Sequence, residues 1–377
     1  MAISASRPFE GLTVVAIEQA VAAPFASSRL ADGGARVIKI ERPEGDFARG
    51  YDDVVAGGQA SYFVWLNRGK ESHVIDMASP EGKAALAALL DRADVLIQNL
   101  KPGALGRLGF ASEELRRTHP RLIIASISGY GEEGPLASRK AYDLLVQAES
   151  GLSSITGGPE SASRVGISIV DIATGETTYS AILEALIARS VTGQGADIRV
   201  SMFDVMADWL TVPLLNHEGG KSPKRLGLAH PSIAPYGVFR TRDGAEILIS
   251  IQSDREWRKF SDLFLGKPEA GKDDRFATNV ARVRGRAETD AMVAKVFAGL
   301  TKAEAEAGLI AADVAFASVN DMAGLSIHPH LRRITVESPA GPVSFPAPAP
   351  VFVGERRHYG PVPALGAGAT PRVEAAE

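Results

Sequence analysis

Two hydrophobic periods alternate along the first part of the chain. Leu12–Ile17 (LTVVAI) is a short β-rich run, and Pro24–Ala31 follows with small and apolar residues at helical spacing. Gly33-Gly34 then lead into a second β-branched run, Arg36–Glu41. Strand, turn, helix and strand within about 30 residues is the size of a βαβ unit. The pattern recurs downstream. Glu81–Arg92 sets Leu86, Leu89 and Leu90 at helical spacing behind a Ser79-Pro80-Glu81 start signal, and Asp94–Gln98 is the strand after it. Glu113–Thr118 reads as a further helix before the apolar strand Arg121–Ile127. Strands alternating with helices predict an α/β fold whose parallel sheet is covered on both faces.

Further along, Tyr142–Gly151 and Thr174–Thr192 are helical in pattern, and the Gly193-Gln194-Gly195 turn leads into Ala196–Val200. Glycine and proline cluster from Gly219 to Pro235, which predicts a crossing between domains. Tyr236–Arg240 and Glu246–Ile251 read as strands around an Arg242-Asp243-Gly244 turn, with charged helices behind them. From Pro339 onward, Pro342, Pro346, Pro348 and Pro350 predict an extended arm on a surface rather than a packed helix.

A chain of 377 residues suggests two to three domains at roughly 150 residues each. The absence of cysteine excludes disulfides, zinc ribbons, iron–sulfur clusters and a thiol nucleophile. A formal charge of −4 offers no bulk electrostatic grip on nucleic acid. No run approaches the roughly 20 apolar residues of a membrane span. The start, MAISASRPFEGL, lacks the charged and apolar regions of a signal peptide. The expectation is a cytoplasmic enzyme or binding protein with no nucleic-acid or membrane partner.

The first βαβ unit invites a dinucleotide, because Glu41 ends the second strand where an acid would meet a ribose hydroxyl. A pyrophosphate, however, needs glycines in the preceding loop, and Glu18-Gln19-Ala20-Val21-Ala22-Ala23-Pro24 has none. His328-Pro329-His330 is the only close histidine pair, and its proline favours a loop, so no metal site is expected. Neither a G-x-S-x-G elbow nor a Walker loop occurs.

Six segments carry a resemblance. They are Val37–Pro43 with Gly45-Asp46; Asn67–Ser72 with Ile75–Met77; and Ala93–Val95 through Asn99–Gly103 to Arg107–Gly109. Next come Ser128–Gly131 with Gly134-Pro135, Tyr142-Asp143 with Gln147-Ala148 and Gly151, and finally Val165–Gly175. In this order the chain resembles the class III CoA-transferases, the family of formyl-CoA transferase and carnitine CoA-transferase. Gly69 and Glu71 depart from the family's N-x-N-K-R-S, and Leu100 and Lys101 from its N-F-R-P-G. Lysine for arginine keeps the charge but loses the bidentate fork.

The resemblance implies that Asp171 attacks a donor acyl-CoA thioester, giving a mixed anhydride and then an aspartyl-CoA thioester that passes CoA to an acceptor acid. The residues by themselves also fit a helix N-cap, since Asp171 precedes Ile-Ala-Thr-Gly-Glu. The two roles are compatible, because a helix N-terminus favours an ionised carboxylate. CoA is a substrate here, and no permanently bound cofactor is expected. Against it the resemblance puts Val21, Ala22, Arg42, Ile75, Asp76, Met77, Asn99, Leu100, Lys101, Arg107 and Lys140, with Arg42, Arg107 and Lys140 as phosphate partners.

Leu228–Gly237 and Gln252–Trp257 are similar to members acting on itaconate, mesaconate or citramalate. There His230, Tyr236 and Arg255 are candidates to meet a substrate carboxylate, although His230-Pro231 also reads as a turn and Arg255 as a surface charge. The glycine-rich lid of the oxalate-using members is not visible, which counts against formyl-CoA and oxalate. The implied activity is CoA transfer to a four- or five-carbon dicarboxylic acid. The alternative is an isomerase of the same fold, moving CoA within a branched dicarboxylate such as mesaconyl-CoA. Racemisation is disfavoured, because Arg139–Asp143 carries no histidine. The implied architecture is a Rossmann-like large domain from residues 1–225 plus 321–377, with a smaller α+β domain inserted at 226–320, in a homodimer of interlocked chains.

Overall fold

The computed structural model describes residues 7–368. The chain runs β1 (Thr13–Ile17), α1 (Ala22–Asp32), β2 (Arg36–Glu41), α2 (Ser61–Asn67), β3 (Lys70–Val74), α3 (Pro80–Leu90), β4 (Val95–Gln98), α4 (Ala104–Arg107), α5 (Ser112–Thr118) and β5 (Ile123–Ser128). Then follow α6 (Asp143–Glu149), α7 (Leu152–Ile155), α8 (Ile169–Thr192), β6 (Asp197–Ser201), α9 (Met202–Trp209) and α10 (Thr211–Glu218). The remainder is β7 (Tyr236–Arg240), β8 (Glu246–Ser250), α11 (Asp254–Leu263), α12 (Asn279–Arg284), α13 (Arg286–Phe297), α14 (Lys302–Ala311), β9 (Ala315–Ser318), α15 (Met322–Ser326), β10 (Arg333–Val336) and β11 (Val343–Pro346). Two compact units result. One takes the chain up to Leu152, Val165–Val212 and the part from Arg332; the other takes Ser153–Arg164 and Pro213–Leu331.

The first unit is an α/β layer structure. Its six strands are parallel in the order β3-β2-β1-β4-β5-β6. Val14, Ala16, Val37, Val95, Ile97 and Ala125 point to one face and pack with Leu30 of α1 and Ala173 and Ile182 of α8. Val15, Ile17, Ile38, Ile40, Leu96 and Ile124 point to the other, under Leu86, Leu89 and Leu90 of α3. The chain reverses its direction of travel across the sheet between β1 and β4, which opens a crevice at their C-terminal ends. Gly175 lets α8 lie tightly on α1. A Cβ there would stand 2.6 Å from the Ala22 carbonyl oxygen and 2.7 Å from Phe25 Cβ.

Three local differences from the sequence reading have physical causes. β3 (KESHV) shows no apolar run; Lys70, Ser72 and His73 are buried there because they are paired rather than because they are oily. α8 begins at Ile169, ahead of Thr174, so Asp171 is its third residue and Ser168 holds the cap position. The expected arm begins as a hairpin, in which β11 pairs antiparallel with β10. Val336 and Val362 then pack with Ala60, Phe63 and Val64. Further on, the tail runs along the free edge of β3: Gly69 N–H donates to Pro361 C=O at 2.8 Å, and Gly368 N–H to Ser72 C=O at 2.8 Å.

The second unit centres on the antiparallel sheet β7-β8-β9. Ile247 and Ile249 pack with Trp257 and Phe260 of α11, Val293 and Phe297 of α13, and Leu309 of α14. Among the described residues, no helix is long and apolar enough to cross a membrane.

Candidate active site

At the crevice, the loop after β1 passes through Ala20 with a φ of 64°. A non-glycine residue keeps that conformation only when its surroundings enforce it. Asp46 Oδ1 accepts the Ala20 N–H at 3.1 Å. Asn99, just beyond β4, takes the Gln19 N–H on Oδ1 at 3.0 Å and donates Nδ2–H to the Gln19 carbonyl at 2.8 Å. The two loops of the crevice are thereby clamped to each other.

Beneath them lies a buried ionic network. Lys39 Nζ is 2.8 Å from Asp46 Oδ2 and 3.5 Å from Glu18 Oε1, and Lys70 Nζ is 2.6 Å from the same Glu18 oxygen. Ser27 Oγ donates to Glu18 Oε2 at 2.6 Å. Burial pushes the Glu18 carboxyl up, but Lys70 and Lys39 outweigh it and hold the group below its ordinary value. Glu41 is held at about 2 against its burial by Arg49, Lys39 and Ser72. Such networks fix geometry more than they add stability, and removing one partner is destabilising.

Asp171 is built from the other side. Asp143, in the first turn of α6, takes the Val170 N–H at 2.7 Å and the Asp171 N–H at 3.3 Å on Oδ1. Its other oxygen accepts Gln147 Nε2–H at 2.6 Å, and Gln147 Oε1 accepts the Val165 N–H at 2.8 Å. Two residues one turn apart on α6 thus dock the whole segment that leads into α8. The Asp171 side chain accepts no hydrogen bond among the described residues and remains partly exposed. Burial, and after it the charge of Asp143, pushes its carboxyl up to about 7. The first turn of a helix favours the anion, and here desolvation wins.

An aromatic wall adjoins it. Tyr62 stands edge-on to Tyr51 with centroids 5.9 Å apart, and packs against the buried cluster of Val21, Phe25 and Leu66. Tyr51 is pushed up to about 12 by burial and by the charges of Asp46 and Asp171.

The residues expected to meet CoA fall in four settings, and Arg42 belongs to two of them. Arg42, Met77 and Leu100 converge on a cavity of about 70 Å³ at the ends of β1 and β2, lined also by Ile17, Gln19, Ile40 and Gly45. Arg42, Lys101, Arg107 and Lys140 are exposed in segments that follow β2, β4 and β5, and none has an acidic partner among the described residues. Val21, Ala22 and Ile75 are buried in the core. Asn99 is spent on the Gln19 clamp, and Asp76 Oδ1 on the Ala78 N–H at 3.0 Å. No side chain caps the start of α1, which leaves its first N–H groups open.

In the second unit, His230 and Tyr236 stack, with centroids 5.2 Å apart and planes at 8°. Arg286 Nη2 donates to the carbonyls of His230 at 2.6 Å and Ile233 at 2.7 Å, fixing that loop. Arg255 is exposed in the first turn of α11 and has no ion pair among the described residues. No group of three or more metal-ligating side chains gathers among the described residues. The sequence reading assigned no role to Gln19, Tyr51, Tyr62, Asp143, Gln147 or Ser168. The i, i+4 spacing of Asp143 and Gln147 was the available signal; the tyrosines carry none.

The sequence model of CoA-transferase family III matches residues 9–368. The chain belongs to that family. As a family III CoA-transferase it acts on CoA thioesters and carboxylic acids. It is 42% identical over 299 residues to an acetyl-CoA:oxalate CoA-transferase of Acetobacter aceti, covering 78% of this chain and 75% of the relative. It is 39% identical over 295 residues to a succinate–glutarate CoA-transferase of Agrobacterium fabrum, covering 74% and 72%. A CaiB/BaiF family protein from Brucella suis superposes with a TM-score of 0.82 at 35% identity, covering 96% of this chain and 97% of that one. That agreement covers nearly the full length of both chains.

Proposed function

We propose that this enzyme moves CoA between an acyl-CoA thioester and a small dicarboxylic acid through a covalent intermediate on Asp171. The observation that carries the reading is the Asp171 carboxylate: unpaired, largely desolvated, raised to about 7, and held by Asp143 in the first turn of α8. A poorly solvated carboxylate is a better nucleophile than a hydrogen-bonded one. Its oxygen bonds to the thioester carbonyl carbon, the C–S bond breaks, and CoA leaves as the thiolate. The thiolate then attacks the Asp171 carbonyl carbon of the mixed anhydride, which releases the donor acid and leaves an aspartyl-CoA thioester. The acceptor carboxylate repeats the sequence in reverse, so no water is consumed and the thioester energy is kept.

The exposed Arg42, Lys101, Arg107 and Lys140 supply unpaired cations for the phosphates of CoA. The cavity lined by Arg42, Met77 and Leu100 offers an apolar place for one flat group. The dicarboxylic acceptor is supported by the oxalate and glutarate named for the two relatives. Given the first of these, the missing glycine-rich lid does not argue against oxalate. Trp209 of α9 and Val212 of α10 are exposed apolar side chains that a second copy would cover, which supports a homodimer.

Incubated with acyl-CoA alone, the enzyme should form an adduct on Asp171, seen by mass spectrometry and cleaved by hydroxylamine. Normal CoA exchange by Asp171→Ala would refute the mechanism. In a screen of oxalate, succinate, glutarate and mesaconate against monocarboxylates, turnover of monocarboxylates alone would refute the acceptor class. Rearrangement of a branched dicarboxylyl-CoA without an acceptor would make the enzyme an isomerase instead.

A further inference from the structure

Serine is among the best N-cap residues because its oxygen takes the N–H of the second or third helical residue. Ser168 stands at the cap position of α8 and makes no such bond. With φ −75° and ψ 65°, and the Ile169 N–H reaching the Ile167 carbonyl at 2.8 Å, it is the centre of an inverse γ-turn. The cap is provided from another helix, since Asp143 takes the Val170 and Asp171 N–H groups. The Ser168 hydroxyl, released from that duty, lies 2.8 Å from the Tyr62 hydroxyl.

Ser168 and Asp171 are three residues apart at the start of α8. They share one helix face. The buried cluster against which Tyr62 packs, Val21, Phe25 and Leu66, offers no side-chain hydrogen-bond donor. Neither hydroxyl has another partner among the described residues. Two O–H groups that share one hydrogen bond leave one proton free to donate.

We propose that Ser168 is a positioning residue for acyl transfer, donating to the Tyr62 oxygen so that the phenolic O–H is held toward the acyl oxygen of the thioester. This rests on Asp171 being the nucleophile. When the Asp171 oxygen bonds to the carbonyl carbon, the π pair moves onto the carbonyl oxygen. The phenol, the more acidic of the two hydroxyls, donates to that oxyanion, and the serine proton turns to the phenolic oxygen. Collapse returns the pair, breaks the C–S bond and expels the thiolate; the hydroxyl protons are not consumed. A donor preorganised in a water-poor site is worth about 10²-fold or more in rate.

The test is steady-state and single-turnover kinetics of Tyr62→Phe, Ser168→Ala, the double variant and Ser168→Thr. Tyr62→Phe should lower kcat about 10²-fold with KM for acyl-CoA within about twofold. Ser168→Ala should lower kcat at least about tenfold, the double variant should fall no further than Tyr62→Phe, and Ser168→Thr should restore activity. A purely structural role would show instead as lost melting temperature, and Thr rescue with unchanged melting excludes it. The proposal falls if Ser168→Ala keeps kcat within about twofold of the parent, or if the two losses multiply. Should Ser168→Ala not fold, equal kcat for Tyr62→Phe and the parent overturns it. Adduct formation separates the two readings. A parent enzyme that forms no Asp171 adduct overturns both, whereas adducts formed at equal rates in parent and variants overturn the Ser168 assignment alone.

Discussion

Replacing Asp171 with asparagine removes a titrating group from the first turn of α8 while nearly preserving its shape. In the folded protein, burial and then Asp143 raise this carboxyl from 3.8 to about 7. In the unfolded chain it ionises near 3.9. Between about pH 4 and pH 7 the native state therefore binds more protons than the unfolded state, and stability falls as pH rises through that window. Above about pH 7 the loss is complete. A shift of about three units at 1.36 kcal/mol each gives an upper bound of about 4 kcal/mol. Partial solvent contact at the carboxylate lowers this to about 2–3 kcal/mol. Asparagine has no ionisation to pay for, so Asp171→Asn should be inactive yet more stable than the parent by about 2–3 kcal/mol at pH 8, and by less than about 1 kcal/mol at pH 4.5. Urea titrations at both pH values, followed by tryptophan fluorescence, measure the difference; Trp65 sits beside Tyr62 in the same unit. A stability difference that is the same at pH 4.5 and pH 8, or a parent more stable than the variant at pH 8, would show that the carboxylate is not held in a desolvated place.

Two further outcomes follow from the same geometry. The acid limb of kcat/KM should rise through about pH 7 as Asp171 ionises; Asp143→Asn, which removes the neighbouring charge, should move that limb to lower pH, and a limb that stays in place would remove Asp143 from the account. Gly175→Ala sets a methyl group 2.6 Å from the Ala22 carbonyl oxygen; about 1–3 kcal/mol of overpacking against about 1 kcal/mol of helix propensity leaves stability slightly reduced. The accompanying shift of α8 from the first loop should lower kcat by about 10²-fold, and parental kcat in a folded Gly175→Ala would show that the spacing between Asp171 and that loop is not critical.

How much of this was legible in the chain depends on whether a feature is local. β1, β2, β4 and β5 are buried on both faces, and their largely apolar, β-branched runs say so, although Lys39 interrupts β2 and Ser126 interrupts β5. β3 escapes because its inward Lys70 and Ser72 are matched to Glu18 and Glu41 on other strands and loops, a pairing no window of neighbours reveals. The start of α8 escapes for the same reason, its cap being Asp143 on a distant helix. Arg42, Met77 and Leu100 meet around one cavity although they lie in three separate segments, a convergence that no local pattern contains. Asp171 could be named from its motif, whereas its raised pKa comes from burial and from Asp143, neither of which the motif contains.

The bonds that residues 360–368 make to β3 bear on how the chain is made as well as on how it stands. All six strands of the parallel sheet have been synthesised once Ser201 has been joined, but until the tail arrives the outer side of β3 still shows its peptide groups to solvent or to any neighbouring nascent chain. Gly69, Ser72 and the loop near Glu337 find their partners only when Pro361, Val362, Gly366 and Gly368 arrive. The last-made described segment is thus a closing seam. A stop codon before it would release a chain with a nearly complete sheet and an unprotected edge, the species most prone to pair with its own copies.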